Sequence, residues 1–286
     1  MILVKLVNIH QHLKRMKKSV LSLTSILTII FFSCSASLPS EEYQQMNLKG
    51  KVKRITESLF HVDYINDEII KKEITYTKVY EFDKNGRLLS EITSGPEGER
   101  VRIMYELNQD TLFEKRYYRG VLENDIACKI LNKQGVIIST FTLSSNKISS
   151  FRTIEYTNQN KKDKIINWHE DGFIESISKY IYDSNGFLVR INSCNAAGDS
   201  LWTLYNIEND NKGNPIKKEI QLVKNGRINI MNHRYNEHKD EIYSSFNNWW
   251  EWQYKYTYDE HNNWITQLKK TEDGDYQYTE REYVYY

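Results

Sequence analysis

The sequence has little proline, glycine and cysteine, and these shortages exclude several classes of protein. Only 3 Pro, 12 Gly and 3 Cys occur among 286 residues, which excludes a collagen-like chain and a disulfide-stapled small domain. A mean hydropathy of −0.66 excludes a multi-span membrane protein. Tyrosine, by contrast, is abundant: 21 Tyr, 10 Phe and 6 Trp make 13% of the residues aromatic. This composition favours half-buried β-strands over helices or disorder.

A basic and then apolar segment near the N-terminus is typical of a secretory leader. Basic residues at 14, 15, 17 and 18 precede an apolar run of about fifteen residues, too short to span a bilayer comfortably. The ending Phe31-Phe32-Ser33-Cys34 resembles the lipobox of bacterial lipoproteins, in a looser form similar to that of Bacteroidetes. The resemblance implies that residues 1–33 are a signal peptide and that a lipid on Cys34 anchors the chain in the cell envelope.

Two alternatives concern this leader. The first is a secreted protein that is cut nearby and keeps Cys34 as a plain cysteine. The second is a translation start at Met16, which two lysines follow, instead of Met1. If a lipid is attached, the outer membrane is the expected location, and the sequence leaves open whether the chain faces the periplasm or the cell surface.

The charge of the mature chain argues against nucleic acid as a partner. The leader carries five basic and no acidic residues, so its removal leaves 34 basic against 38 acidic residues and a net charge of −4. A nucleic-acid binder requires the opposite sign and a concentrated basic face.

A repeat of about twenty-five residues organises the chain after the leader. Residues 80–89 read YEFDKNGRLL, residues 180–189 read YIYDSNGFLV, and residues 256–265 read YTYDEHNNWI. Weaker copies continue the series, with turn residues at Asp83, Asn108, Asn132, Asn158, Asp183, Glu208, Asn236 and Asp259. A second turn signal lies between successive copies, so each repeat is predicted to be one hairpin.

These repeats predict an all-β fold. Aromatic residues occupy every second position from Trp250 to Tyr258, with polar residues between them, as in a half-buried strand. No segment after the leader keeps a helical apolar period. We therefore expect an elongated or curled antiparallel meander of about nine β-hairpins over residues 47–286, with residues 34–46 as a lipid-proximal tether.

The turn residues resemble those of the Rhs or YD-repeat superfamily. Tyr182-Asp183 with Gly186 and Tyr258-Asp259 match the family pattern, and Phe82-Asp83 with Gly86 is close to it. The resemblance covers most of the mature chain. It is closer to small Bacteroidetes lipoproteins with a few repeats than to the large toxin-enclosing shells. That smaller group has no assigned reaction, so the resemblance implies an architecture and an envelope location but no catalytic residues.

Sequence motifs for catalysis and for cofactors are absent. The chain has no GxSxG, HExxH, Walker or GxGxxG motif, and no Cys or His spacing suited to zinc. We therefore predict no catalytic residue, no metal and no cofactor, and we favour a non-enzymatic protein over an enzyme.

The tryptophans near the C-terminus are the candidate ligand-binding residues. Trp249, Trp250, Trp252 and Trp264 lie among Asn residues at 247, 248, 262 and 263, and aromatic rings beside amides suit sugar rings. Alternation predicts that Trp250 and Trp252 are buried on the aromatic face and that Trp249 is exposed. The competing interpretation is that these rings only fill the concave side of the sheet.

The expected function is binding of a glycan or an envelope protein at this sheet surface. An enzyme acting on envelope polysaccharide is one alternative. An immunity or scaffold protein for a neighbouring toxin is the other.

Overall fold

Eighteen β-strands make up most of the described chain. The computed structural model describes residues 41–286, except residues 146, 223, 224 and 248 and the side chains of residues 41, 42, 206 and 207. The predicted signal peptide and Cys34 lie outside the described residues. A short helix, α1 (Glu41–Gln45), precedes the strands. The strands are β1 (Val52–Ile65), β2 (Glu68–Phe82), β3 (Leu88–Gly95), β4 (Gly98–Asn108), β5 (Thr111–Tyr118), β6 (Val121–Leu131), β7 (Ile137–Ser144), β8 (Lys147–Tyr156), β9 (Lys162–Trp168), β10 (Ile174–Tyr182), β11 (Leu188–Asn195), β12 (Ser200–Asn209), β13 (Pro215–Leu222), β14 (Ile228–Tyr235), β15 (Glu241–Phe246), β16 (Trp250–Tyr258), β17 (Trp264–Lys270) and β18 (Tyr276–Tyr285).

The strands form one closed antiparallel sheet. Each strand pairs with the strands before and after it in the sequence, and β1 also pairs with β18. The β1–β18 pairing runs from Val52 opposite Tyr285 to Val62 opposite Tyr276. The predicted all-β antiparallel meander of hairpins is confirmed, but the prediction of an elongated or curled sheet is corrected, because the sheet closes on itself. Closure gives the backbone groups of β1 and β18 hydrogen-bond partners that an open edge would lack.

Turns with one recurring geometry join most even-numbered strands to the next odd-numbered strand at one end of the sheet, which we call the Asx edge. At the first of them, the Asp83 amide donates to the Arg87 carbonyl (2.8 Å) and the Gly86 amide donates to the Asp83 carbonyl (2.9 Å). Asp83 Oδ1 accepts the amides of Asn85 and Arg87, both at 2.9 Å. Gly86 has a φ of 76°, which suits glycine. The same contacts recur, in whole or in part, at Asn132, Asp183, Asp210, Asn236 and Asp259.

Three predicted turn residues are corrected. Thr157, not Asn158, accepts the turn amides through its hydroxyl, at 3.3 Å. Asp210 takes the place expected for Glu208, which lies within β12. At Asn108 the connection has only two residues, because Asn108 pairs directly with Thr111. At the first two turns, the role passes to a neighbouring short polar side chain that can accept the turn amides.

A recurring tyrosine hydroxyl bond accounts for part of the aromatic content. The hydroxyls of tyrosines on β8, β10, β14, β16 and β18 each donate to the carbonyl of the first residue of the strand before. The pairs are Tyr156 to Ile137 (2.7 Å), Tyr182 to Lys162 (2.7 Å), Tyr235 to Pro215 (3.3 Å), Tyr256 to Glu241 (2.9 Å) and Tyr283 to Trp264 (2.9 Å). The strands that contain the acceptor carbonyls begin beside the bulged turns of the Asx edge. There the tyrosine hydroxyl is a hydrogen-bond partner for a carbonyl that would otherwise depend on water.

Helix α1 packs on the concave face of the sheet. Tyr43 meets Phe82 edge-on at 5.2 Å, and its hydroxyl donates to the Gly50 carbonyl at 2.7 Å. The surrounding cluster contains Val52, Ile55, Tyr80, Phe82 and Leu88, with Met46, Leu48, Tyr105, Tyr283 and Tyr285 against it.

The cluster identifies which side of the sheet is concave. Its members come from five neighbouring strands, β18 and β1 to β4, which would spread over about 19 Å if the sheet were flat. Their convergence on one short helix therefore marks the concave side, which we call the inner face. The last residues of the segment 34–46, expected as a tether, contribute to this core through Tyr43.

Candidate functional site

Aromatic rings on one face of β16 form a row along the strand. Trp250, Trp252, Tyr254, Tyr256 and Tyr258 alternate with exposed residues. Ring centroids are 6.4 Å apart between Trp250 and Trp252, 6.4 Å between Tyr254 and Tyr256, and 6.2 Å between Tyr256 and Tyr258. Phe246 extends the strip at one end, 5.5 Å from Trp250, and His238 extends it at the other, 4.0 Å from Tyr258. We call these seven residues the aromatic strip.

The aromatic strip lies on the inner face. Tyr256 contacts Trp264 at 5.9 Å, and the Arg281 guanidinium lies 3.6 Å from the centre of the Trp264 ring. Arg281 in turn bonds to Glu57 at 2.8 Å, and Glu57 is two residues from Ile55 of the core cluster, hence on the same side of β1. The strip spans about 27 Å from Trp250 to Tyr258, given about 3.4 Å per strand residue.

The four predicted tryptophans do not form one compact site. Trp250 and Trp252 belong to the strip, and Trp264 flanks it at the Asx edge. Trp249 lies in the β15–β16 turn and is 72% exposed. Trp250 was expected to be buried but is 47% exposed, because it begins β16 at the end of the sheet remote from the α1 cluster.

Asn247 and Asn263, next to the tryptophans, hydrogen-bond to backbone groups of other segments, whereas sugar contacts were expected of them. Asn247 accepts the Ile230 amide at 2.7 Å. Asn263 accepts the Lys49 amide at 2.7 Å and donates to the Lys49 carbonyl at 2.9 Å. Asn248 lies outside the described residues. The amide that does adjoin the strip is Gln267, which donates to the Tyr256 hydroxyl at 3.0 Å.

Sequence reasoning also missed Lys269. Its ammonium lies 5.7 Å from the Trp252 ring centre and 6.0 Å from that of Tyr254. Lys269 pairs with Tyr254 across the β16–β17 hairpin and, like Gln267, lies on the inner face. The register of this hairpin was the signal that could have placed both residues, because the Asp259 turn sets which positions lie opposite each other.

The tyrosine hydroxyls of the strip are neutral and already bonded. Burial raises the pKa of Tyr256 and of Tyr258 well above the ordinary value of 10.0. The Tyr256 hydroxyl donates to the Glu241 carbonyl, and that of Tyr258 donates to Asp240 Oδ2 at 2.9 Å. These groups hold ring positions and offer little acid or base strength near neutral pH.

A buried His–Glu pair adjoins the middle of the strip. His233 pairs with Ser244, which pairs with Trp252, so the three lie in one row on the inner face. His233 Nδ1 lies 2.5 Å from Glu241 Oε2. Burial raises the pKa of Glu241, but hydrogen bonds from His233 and Ser244 outweigh it and leave the pKa below the ordinary value.

The burial of His233 makes this pair structural. His233 is 8% exposed, and its Nε2 is buried with no hydrogen-bond partner among the described residues. A substrate proton must come within hydrogen-bond reach of a catalytic base, and Nε2 is closed to solvent.

A polar cleft at the Asx edge is the competing site. A cavity of about 590 Å³ is lined by Asp183, Asn185, Phe187, Val189, Asn209, Asp210 and Asn211. Asp210 Oδ1 accepts the amides of Lys212 and Asn214, and Oδ2 accepts the Asn214 side-chain amide at 2.7 Å. Because the Asp210 carboxylate already accepts hydrogen bonds from the turn, the cleft has fewer free polar groups for a ligand, and the aromatic strip is the stronger candidate site.

The described part of the chain lacks two further features. It contains no group of three or more His, Cys, Asp or Glu side chains placed to hold a metal ion. Nor does any helix in residues 41–286, apart from the undescribed positions, have the length and apolar character to cross a membrane.

Comparison with known proteins gives similarity of architecture only. No family model matches the chain, and no curated protein matches it. A porin-like protein from Bacteroides uniformis is similar over 83% of this chain and 98% of its own, with 9% identity and a TM-score of 0.45. A putative outer membrane lipoprotein-sorting protein domain from Vibrio parahaemolyticus covers 85% and 89%, with 11% identity and a TM-score of 0.22.

A third match is the TcdB2-TccC3-Cdc42 structure, with 12% identity, 79% of this chain covered and a TM-score of 0.29. This chain spans only 16% of that one. At these TM-scores none of the three matches assigns a function, and the resemblance to YD repeats rests on the repeat residues themselves.

Proposed function

We propose that the chain is a non-enzymatic lipoprotein of the bacterial cell envelope, held at the membrane by a lipid on Cys34, whose aromatic strip binds a glycan chain. The observation that carries the proposal is the strip itself. Its rings lie 6.2–6.4 Å apart within the pairs Trp250–Trp252, Tyr254–Tyr256 and Tyr256–Tyr258, and they extend from the far end of the sheet to the Asx edge. A linear row of rings suits an extended polymer better than a compact small molecule.

The chemistry of the strip favours sugar rings over a purely apolar ligand. Aromatic faces stack on the apolar faces of pyranose rings, and polar groups beside them accept or donate hydrogen bonds to hydroxyls. Gln267 and Lys269 provide such groups on the neighbouring strand. Trp250, at 47% exposure, leaves ring surface open for contact.

A binding role is favoured over catalysis by the state of the titratable groups near the strip. His233 is enclosed and bonded to Glu241, and the Tyr256 and Tyr258 hydroxyls are bonded to backbone or carboxylate. Glycoside hydrolysis requires two accessible carboxyl groups on either side of the scissile bond. Glu241 is occupied by His233 and does not meet this requirement.

Tryptophan fluorescence titration with purified envelope polysaccharides tests the proposal. Trp250→Ala should weaken binding by about tenfold, the size expected for an aromatic contact at a binding surface. Trp249→Ala is the matched control, since the neighbouring Trp249 lies in the turn and off the strip, and it should bind as the wild type does. Equal losses in both variants, or no binding by the wild type, would contradict the proposal.

A protein partner is the second candidate, because large apolar side chains are exposed at hairpin tips opposite the Asx edge. Trp249, Phe173 and Val121 are the most exposed of them, at 72%, 73% and 70%. Isolated exposed side chains are ordinary, but aromatic ones on turns are common anchors of interfaces. A photo-crosslinker at position 249 in intact cells should give one defined adduct, and its absence would remove this candidate.

A further inference from the structure

We infer that the glycan recognised by the aromatic strip is acidic, with a carboxylate or sulfate group on its sugar rings that pairs with Lys269. The inference rests on the proposed function of the strip and adds the charge of its ligand. Lys269 projects from β17 over two consecutive rings of the strip, 5.7 Å from the centre of Trp252 and 6.0 Å from that of Tyr254. A sugar stacked on either ring would therefore bring its substituents beside the ammonium.

The inner-face neighbours of Lys269 are uncharged. It pairs with Tyr254 on one side and Gln277 on the other, and Gln267 lies two residues away on the same strand. Among the described residues no carboxylate lies within 4 Å of its ammonium, which contacts the two rings instead. An ammonium over ring faces has a weaker partner than one paired with a carboxylate.

Two other cations on the inner face, Arg281 and Lys78, have carboxylate partners and so differ from Lys269. Arg281 is bonded to Glu57 at 2.8 Å beneath the Trp264 ring. Lys78 lies 3.8 Å from Glu91. Their charges are balanced within the protein, whereas the charge of Lys269 faces the strip, where an anionic ligand would balance it.

A charge-matched set of oligosaccharides tests the inference. The probes are a galacturonate hexamer, the same hexamer with its carboxyl groups reduced to alcohols, and a sulfated form of the reduced hexamer, each titrated into the full-length protein at low and at high salt. We expect one or both charged probes to bind about tenfold more tightly than the neutral one at low salt, the size of a hydrogen bond to a charged group. The charged probe that gains affinity identifies carboxylate or sulfate as the anion.

Two lysine variants locate the effect. Lys269→Gln should reduce the affinity for the charged probe to that for the neutral one. Lys270→Gln removes the same charge from the next residue, which is exposed and points to the opposite face, and should keep the preference.

Three results would overturn the inference. Equal binding of charged and neutral probes, lost together in Trp250→Ala, would leave the strip as a glycan site but contradict its acidic ligand. Equal loss of all probes in Lys269→Gln would show that the lysine only positions the rings. Absence of binding by any probe in the wild type would count against the inference and the proposed function together.

Discussion

Breaking the ion pair at the closure of the sheet should destabilise the protein strongly. Glu57 of β1 lies directly opposite Arg281 of β18, the two strands that join the ends of the meander. The Arg281 guanidinium donates to Glu57 at 2.8 Å and stacks on Trp264, and the Arg281 and Glu57 side chains are only 9% and 12% exposed. Removing one partner leaves the other charge buried without compensation, which costs about 3–5 kcal/mol.

A double-mutant cycle separates the interaction energy of Glu57 and Arg281 from the other effects of each substitution. Glu57→Gln and Arg281→Met should each lower the free energy of unfolding by about 3 kcal/mol. The double variant should lose about 3–4 kcal/mol, well short of the additive loss of about 6 kcal/mol, since no buried charge then remains. The coupling energy expected from the cycle is about 2–3 kcal/mol. Urea unfolding followed by far-UV circular dichroism measures all four proteins.

A second ion pair at the same seam is the control. Lys71 of β2 and Glu280 of β18 lie 2.5 Å apart but are 42% and 35% exposed. Solvent screens this pair, so its cycle should give under about 1 kcal/mol. Coupling energies of similar size for both pairs, or a double variant of Glu57 and Arg281 as unstable as the sum of the singles, would refute the argument that burial makes the difference.

Three further predictions concern the anchor, a turn and the acid limit of stability. Cys34→Ser should release the protein from membranes and abolish labelling by a fatty-acid probe; unchanged labelling would exclude Cys34 as the lipid site. Gly186→Val should lower the free energy of unfolding by about 1–2 kcal/mol in urea denaturation, because Gly186 has a φ of 80° that a β-branched residue adopts poorly; a neutral effect would contradict this account of the turn. Since the pKa of Glu241 is held below its ordinary value of 4.5, its carboxylate contributes stability that is present above about pH 4.5 and lost as the pH falls through the lowered value, and Glu241→Gln should flatten the acid side of the stability profile measured by urea unfolding. Superimposable profiles for the variant and the wild type would show that the pair with His233 adds nothing.

Local patterns determined the fold class and part of the strip. Alternation from Trp250 to Tyr258 places successive side chains on opposite faces through strand geometry alone. Trp249 is exposed as expected, but it lies in the turn before β16 and not on the polar face of the strand. The turns at Asp83 and Asp183 were equally readable, because one short carboxylate satisfies amides within four residues of itself.

Only the tertiary structure decided the features that join distant parts of the chain. The pairing of Glu57 with Arg281 spans 224 residues, and the same alternation would fit an open sheet, so closure cannot be read from it. The docking of Tyr43 on Phe82 likewise depends on the curvature of several strands at once.

The candidate site shows the same division. Lys269 reaches Trp252 and Tyr254 through the register of a bulged hairpin, which a single residue of slip would reverse. Trp250 and Trp252 share a face by alternation, but only the structure shows that Trp250 is exposed and Trp252 is half-buried. The sequence therefore determines which side of a strand a residue takes, because that depends on its nearest neighbours. What the residue meets there depends on contacts between strands far apart in the chain.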